Sequence, residues 1–511
     1  MLTFAYLAPL LLVILLLASG RVGTVGAGAV GLVAAAAAAI VSPTGRLIGR
    51  GIGSLLPSTA PSSTRELLLA AWLAREGAVG LWLAWHVLVV VVGGIFLWRC
   101  LEAVHRRSPE PATPDLRVEA DPALLQRRLW FATFLLGPFT ESVTGFGVGC
   151  IIALAFILRL GLRGLPALLL ALFSQMLVPW GALAIGTVLG ATLAVVPLPV
   201  LGYGSAVLQG PMLLLYLLLF WWLAALCGVR SGPLQKLDDL AWTAALWAML
   251  LLANRFIEVE IAGASAAGVL LVLRWLRDAR PDRAAWSATL RRVWPYVLLV
   301  SLLLASRLVP PLQSFLRESL AIDAFGGTPV FSPLYTPASF LILVGAIVLM
   351  TAGSRGSAVI EALRTTARAI WRPVLVTVLF VIMARIYGGS GMAVALASAL
   401  HDGMGRAAIL CSPLLAAVGG FLTASNAGAN AMLMPLQAAL AQQAGIDVPL
   451  LAVLQNSVGS NLTMLSPPRV ALGLAMLAGS VGEAEVYRRG WVLSLPALTV
   501  GLGAAALLLV T

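Results

Sequence analysis

Long apolar runs, separated by short polar interruptions, set the rhythm of this chain. A stretch of roughly 20 apolar residues spans a bilayer as a helix, and runs near that length recur from end to end. They fall at about 3–19, 23–41, 78–98, 129–158, 165–196, 205–228, 239–254, 259–276, 293–309, 338–352, 371–388, 407–442, 449–479 and 490–510. The runs are continuous in Leu, Val and Ala. Ten-residue alternating segments, which would indicate a membrane β-barrel, are not the pattern. The pattern therefore predicts an all-α polytopic membrane protein with about 12 to 14 membrane elements. Several runs are too long for one crossing, so each of those is expected to be two segments or a hairpin. The first run has no basic residues ahead of it, and a second follows at once. A retained first helix is expected there, not a cleaved signal.

Composition agrees with that reading. Of 511 residues, 60% are hydrophobic and 11% charged, against about 25% charged in a soluble domain. The formal net charge is +12. In a soluble protein that excess would suggest nucleic acid. Here the basic residues lie between apolar runs, where Lys and Arg mark cytoplasmic loops, and no nucleic-acid partner is expected. The stretch 99–128, mixed in sign, reads as a solvated loop, and the basic stretches 274–292 and 355–372 read as cytoplasmic loops. Cys100, Cys150, Cys227 and Cys411 are isolated, and His86, His105 and His401 have no ligand spacing, so neither a metal nor another cofactor is expected. His86 reads as part of an interfacial aromatic belt or as a proton relay. Arg385 reads as snorkelling from the edge of a span.

Polar residues inside the apolar runs carry the functional signal. Residues 419–435 read GGFLTASNAGANAMLMP, placing Thr423, Ser425, Asn426 and Asn430 in one short stretch. Backbone polar groups cannot be left bare in hydrocarbon, so a helix break survives there only against protein or a wet cavity. Gly, Ser and Asn permit such a break. The stretch therefore predicts the tip of a re-entrant hairpin or an unwound helix centre. The alternative is a small-residue face for close helix packing. Residues 137–150, GPFTESVTGFGVGC, form a counterpart with Thr140, Glu141, Ser142 and Thr144. Glu141 is an ionisable group within an apolar run, which marks function by default. Burial disfavours a charged carboxylate, making Glu141 the candidate proton-coupling residue. Its other reading is a structural carboxyl tied to nearby hydroxyls.

The two stretches also suggest an internal repeat. Residues 138–176 and 421–459 align Thr140 with Thr423, Ser142 with Ser425, Pro166 with Pro449 and Ser174 with Ser457. Corresponding interrupted segments in two halves point to a transporter's binding site. The expected organisation is 1–128, N-terminal helices and a polar loop; 129–276, a first transport repeat; 277–370, connecting helices and cytoplasmic loops; and 371–511, a second transport repeat, inverted relative to the first.

On these motifs the chain resembles the L-lactate permease family. LLGPFTESVTGFGVG matches the family's first-half element at Phe139, Glu141, Gly145, Phe146 and Gly147. GGFLTASNAGANAML with the following LQ and AQQ matches at Phe421, Leu422, Thr423, Ser425, Asn430, Ala431, Gln437, Gln442 and Gln443. LQNSVGSNLTMLSPP matches at Asn456, Ser457, Gly459, Met464, Ser466 and Pro467. The good matches cover about 130–195 and 405–475. The resemblance implies a secondary transporter carrying lactate, glycolate or a similar 2-hydroxy monocarboxylate with protons. It also implies two inverted halves whose hairpin tips meet at a central site.

Departures from the pattern matter. The family's Asp is Asn426 here, and its Lys is replaced by Thr463. A basic residue stands instead at Arg469, where it either binds a carboxylate bidentately or snorkels to an interface. The expected substrate site is Thr140, Ser142, Thr144, Thr423, Ser425, Asn426, Asn430, Asn456, Ser457 and Arg469, with Glu141 coupling protons. The partners are a small organic anion, protons and the lipid bilayer of the inner or plasma membrane; a homodimer is compatible with the sequence. A channel or a sodium-coupled carrier are the other transport readings. An intramembrane enzyme lacks a nucleophile with a base: Asp238 and Asp239, the one adjacent acidic pair, read as loop residues.

Overall fold

The computed structural model describes residues 2–41, 62–107, 122–145, 147–326, 328–353, 356–477 and 479–510. Phe146, one of the motif matches, lies outside them. Among the described residues the regular elements are all helices, and the one β-type pairing is a single bridge between Ile322 and Phe331. Among the described residues, seven helices are long and apolar enough to cross a bilayer, an eighth span is a bent pair, and four shorter apolar helices accompany them.

The N-terminal part contributes α1 (Leu2–Ala18), α2 (Thr24–Val41) and the long α3 (Ser62–Arg107). Next come α4 (Pro122–Trp130), a π-helical segment at Phe131–Leu136, α5 (Gly137–Thr144) and α6 (Val148–Arg159). The run expected at 129–158 is thus a hairpin: α5 and α6 pack side by side, with the reversal at Gly145 and Gly147. The run expected at 165–196 is broken. Helix α7 (Gly164–Phe173) and the segment Val178–Ala194, which contains α8 (Gly181–Ala194), are bent by 53°.

Long helices follow: α9 (Leu198–Leu226), α10 (Pro233–Phe256), α11 (Val259–Ala279) and α12 (Arg283–Leu308). The short α13 (Pro310–Glu318) leads to α14 (Pro337–Thr351), α15 (Gly356–Gly389) and α16 (Met392–Met404). A second hairpin pairs α17 (Cys411–Thr423) with α18 (Asn426–Gln443), so the run at 407–442 also folds back on itself. Then come α19 (Val448–Leu462), a 3-10 turn at Thr463–Leu465, α20 (Pro467–Ala475), α21 (Glu483–Gly490) and α22 (Leu495–Val510).

The polar loops expected at 274–292 and 355–372 are largely helix. Only residues 280–282 separate α11 from α12. Arg274 does not face water: it is fully buried, with its guanidinium 5.1 Å from the ring centres of both Trp130 and Trp242 and an ion pair of 2.9 Å to Asp238. Arginine stacks on aromatic faces and carries its hydration lightly, so an Arg-rich stretch need not be a solvated loop. Asp238 and Asp239 lie within α10, not in a loop, and Asp239 accepts from Gln126 (2.5 Å) and Trp221 (3.0 Å).

Small residues set the closest crossings. A Cβ at Gly186 would stand 2.8 Å from the Ala427 backbone nitrogen, and one at Gly190 would stand 2.7 Å from Asn430 Nδ2. Helix α8 therefore lies directly against the start of α18. Close approach through Gly is how helices associate in lipid, where no hydrophobic force distinguishes a neighbouring helix from an acyl chain.

Candidate functional site

The two hairpin tips meet. A cavity of about 50 Å³ is bounded by Glu141 and Gly145 of the first hairpin, Ser425 and Asn426 of the second, the start of α8, and Arg469 of α20. Space for one water takes about 10–15 Å³ on this measure, so the cavity has room for a few waters. Drug-sized ligands need about 300–1,000 Å³.

Each wall has a local cause. At the first tip Gly145 has φ 69° and Gly147 φ 83°, conformations that L side chains rarely adopt. A Cβ at Gly145 would also sit 2.6 Å from Ala182 Cβ. At the second tip Ala424 takes the left-handed conformation (φ 58°), and Ser425 caps α18 by accepting from the Gly428 N–H at 3.3 Å. The third wall is strained: Ala182, Leu183 and Ala184 are consecutive left-handed residues, with φ of 38°, 55° and 60°. Each such residue costs roughly 1–2 kcal/mol. Strain of this kind persists only where the surroundings over-determine it, and it concentrates at functional sites.

Glu141 is 2% exposed and Arg469 6% exposed. Arg469 Nη2 lies 3.2 Å from Glu141 Oε1. The carboxylate also accepts from the backbone N–H groups of Gly147 (3.1 Å to Oε2) and Gly149 (3.1 Å), and from Gln175 Nε2 (3.4 Å). All its partners are donors, the set an anionic carboxylate requires. Arg469 in turn donates through Nη1 to Gln175 Oε1. Arg469 is therefore buried and ion-paired; of its two sequence readings, snorkelling to an interface does not describe it.

A neutral amide network backs the second tip. Asn426 Nδ2 and Asn430 Nδ2 both donate to Asn456 Oδ1, at 3.0 and 2.9 Å, and the Thr187 hydroxyl lies 3.1 Å from the same atom. Asn456 donates to Ser205 at 2.9 Å, and Asn430 also donates to the Gly186 carbonyl at 2.9 Å. Three chain regions are thus locked around one side chain. Asn426 Oδ1 and Arg469 Nε, both on cavity-lining residues, are buried and without a partner.

Of the residues expected from sequence, Glu141, Ser425, Asn426 and Arg469 line the cavity. Asn430 and Asn456 stand one layer behind. Thr140, Ser142 and Thr144 instead bond the carbonyls one turn back on their own helix, those of Leu136, Pro138 and Thr140. Thr423 similarly caps Gly419 at 2.8 Å. The Ser457 hydroxyl is buried with no partner and does not border the cavity.

Sequence reading missed Gln175, Thr187 and Ser205. Gln175 had a signal, an amide in an apolar run four residues before Pro179; single hydroxyls such as Thr187 and Ser205 have none. It also missed Glu76, a second buried carboxyl, held by Arg385 at 2.8 and 2.9 Å. The span was expected to begin at 78, whereas the apolar part of α3 begins at Glu66, which takes Glu76 inside. Arg385 is thus paired, not simply snorkelling. His86 packs against Trp82 and Phe331 with Nδ1 2.9 Å from the Trp82 carbonyl.

Comparison with known proteins places the chain. The L-lactate permease family model matches residues 280–511, which include the second hairpin and Arg469. The L-lactate permease of Salmonella typhi is 25% identical over 468 residues, covering 80% of this chain and 81% of that protein. That of Escherichia coli (strain K12) is 24% identical over 469 residues with the same coverage. The chain is thus similar to L-lactate permeases along most of its length. Glycolate permease GlcA of Escherichia coli (strain K12) is 30% identical over 159 residues, 31% of this chain and 28% of that one. The YdaH transporter of Alcanivorax borkumensis aligns over 94% of this chain and 97% of its own, at 16% identity and a TM-score of 0.46. The similarity to permeases and the apolar helices together indicate a multi-pass membrane protein.

Proposed function

We propose that this chain is a secondary transporter of a small organic anion, a 2-hydroxy monocarboxylate such as lactate or glycolate, moved with a proton across the inner or plasma membrane. The carrying observation is the cavity between the hairpin tips, which sets one buried cation, Arg469, opposite one unpartnered acceptor, Asn426 Oδ1. A carboxylate on Arg469 gains charge-assisted bonds, with the free Nε–H ready as a further donor. A 2-hydroxyl donates to Asn426 Oδ1. Asn430 and Asn456 hold Asn426 in place, and Ser425 fixes the start of α18. The permease relatives named above support an anion carrier over an enzyme. Residues 129–276 and 371–511 each contain a hairpin followed by an interrupted helix, in keeping with two transport repeats that move against one another. Proton coupling rests on Glu141.

Sodium coupling is the second reading. Asn426 Oδ1 and Asn430 Oδ1 are buried acceptor oxygens without donors, a feature that favours a monovalent cation. One experiment separates the two. The purified protein is reconstituted into liposomes, and uptake of labelled lactate, glycolate and a dicarboxylate is followed under a pH gradient or a sodium gradient imposed alone. Accumulation of a monocarboxylate driven by the pH gradient is the expected result. Accumulation under sodium alone selects the second reading, and no uptake under either gradient ends both.

A further inference from the structure

Resting on the anion-carrier reading, we infer that Glu141 is an internal stand-in for the substrate's carboxylate. It holds Arg469 while the cavity is empty, and the substrate takes Arg469 only once Glu141 has accepted a proton.

The argument begins with what lines the cavity. Among the described residues, Glu141 and Arg469 are its only ionisable side chains, and they are paired with each other. Cys150, buried on the opposite arm of the same hairpin, is the other titratable group beside Glu141. Helices α3 and α11 also pack on α5, and the close approaches there are made by glycines: Gly94 against the Thr144 carbonyl and Gly263 against the Ser142 hydroxyl. Gln175, from the break after α7, is neutral. Among the described residues, Arg469 is the one cation paired with Glu141, so no second pair is there to share an added negative charge.

Charge balance then restricts the order of events. An isolated ion in this environment costs several kcal/mol, and removing one member of a buried pair leaves the other uncompensated. Arg469 with Glu141 is balanced. Arg469 with both Glu141 and a substrate carboxylate carries one net negative charge. Arg469 with the substrate and a protonated Glu141 is balanced again. The incoming proton goes onto a Glu141 carboxyl oxygen, the contact with Arg469 Nη2 breaks, and the substrate carboxylate replaces it. One proton therefore enters with one monocarboxylate, and the loaded and empty cavities have equal charge.

Gln175 gives the exchange its geometry. Its Oε1 accepts from Arg469 Nη1, while its Nε2 faces Glu141 at 3.4 Å. It is a positioning residue: Arg469 stays aimed at the cavity when the carboxylate lets go. Arg469 Nε is buried without a partner, so the substrate is offered a donor that Glu141 does not use.

The test uses the full chain in liposomes, with labelled lactate and glycolate as probes. In the unsubstituted protein, apparent affinity in lactate exchange should weaken about tenfold per pH unit through the alkaline range, because binding takes up one proton. In Glu141→Gln that slope should vanish: exchange persists at alkaline pH, and the accumulation ratio under a pH gradient falls to one. An unchanged slope, or normal accumulation in the variant, overturns the inference. So does loss of exchange at every pH in a variant that remains monodisperse in detergent. A second measurement needs no variant. Uptake by the unsubstituted protein should not respond to a membrane potential set with potassium and valinomycin, and potential-driven uptake overturns the inference. If the unsubstituted protein exchanges neither probe, the anion-carrier reading itself fails.

Discussion

The two hairpins share a plan and differ in how their tips are held. The first tip turns on two glycines with positive φ and anchors its one carboxylate with backbone N–H groups and an arginine from α20. The second turns on Ala424, is capped by Ser425, and is braced by neutral amides that converge on Asn456. The first tip carries charge; the second carries geometry. In the proposed mechanism the charged tip answers to one proton, whereas the amides that donate to Asn456 Oδ1 brace the second tip. On the proposed function, this separation of duties lets one side of the cavity gain and lose charge without loosening the other.

The sharpest way to break this contrast is Arg469→Ala. It strands Glu141, and breaking a buried pair from one side costs about 3–5 kcal/mol. Uptake should fall at least about a hundredfold, with a lowered unfolding temperature in detergent. Near-normal uptake would remove the charged tip from the site. Gly145→Ala tests the same tip through its backbone. With φ 69° and ψ −167°, Gly145 sits in a region open essentially to glycine alone; a side chain there costs about 1–3 kcal/mol and the contact with Ala182 about 1–3 more. Transport at least about tenfold slower is expected, and a wild-type melting curve would show that the turn relaxes freely.

At the second tip, Asn456→Ala removes the acceptor shared by Asn426 and Asn430. Leaving those donors unsatisfied costs about 1–3 kcal/mol. Apparent affinity should weaken about 5- to 100-fold while the pH slope stays, because the charged tip is intact. A lost pH slope would mean the two tips are not separable. The smallest effect is expected at Glu76→Gln, which weakens an ion pair that does not line the cavity and whose arginine side chain is 32% exposed. Exposure screens such a pair. Stability should fall by about 1 kcal/mol, with uptake within about twofold. A large transport defect would extend the mechanism to α3 and α15.

The chain's own sequence settled the class of protein and the places where its helices are interrupted. Continuous Leu/Val/Ala runs leave no solvent but lipid, and GPFTESVTGFG and TASNAGAN can be tolerated there only as protein-enclosed breaks. Both are hairpin tips. Glu141, Ser425, Asn426 and Arg469 were legible for the same reason: a polar group in an apolar run is costly unless it has work to do. Their partnership was not legible. Glu141 and Arg469 are 328 positions apart in the numbering, and their pairing depends on how α20 packs on the first hairpin. Thr140, Ser142 and Thr144 look identical in sequence to ligand hydroxyls, yet each bonds a carbonyl of its own helix. Gln175, Thr187 and Ser205 gain their meaning only from what crosses them. Composition and periodicity report the free energy of a residue against its solvent; which buried donor meets which acceptor is decided by packing between segments far apart in the chain, and only the folded molecule holds that information.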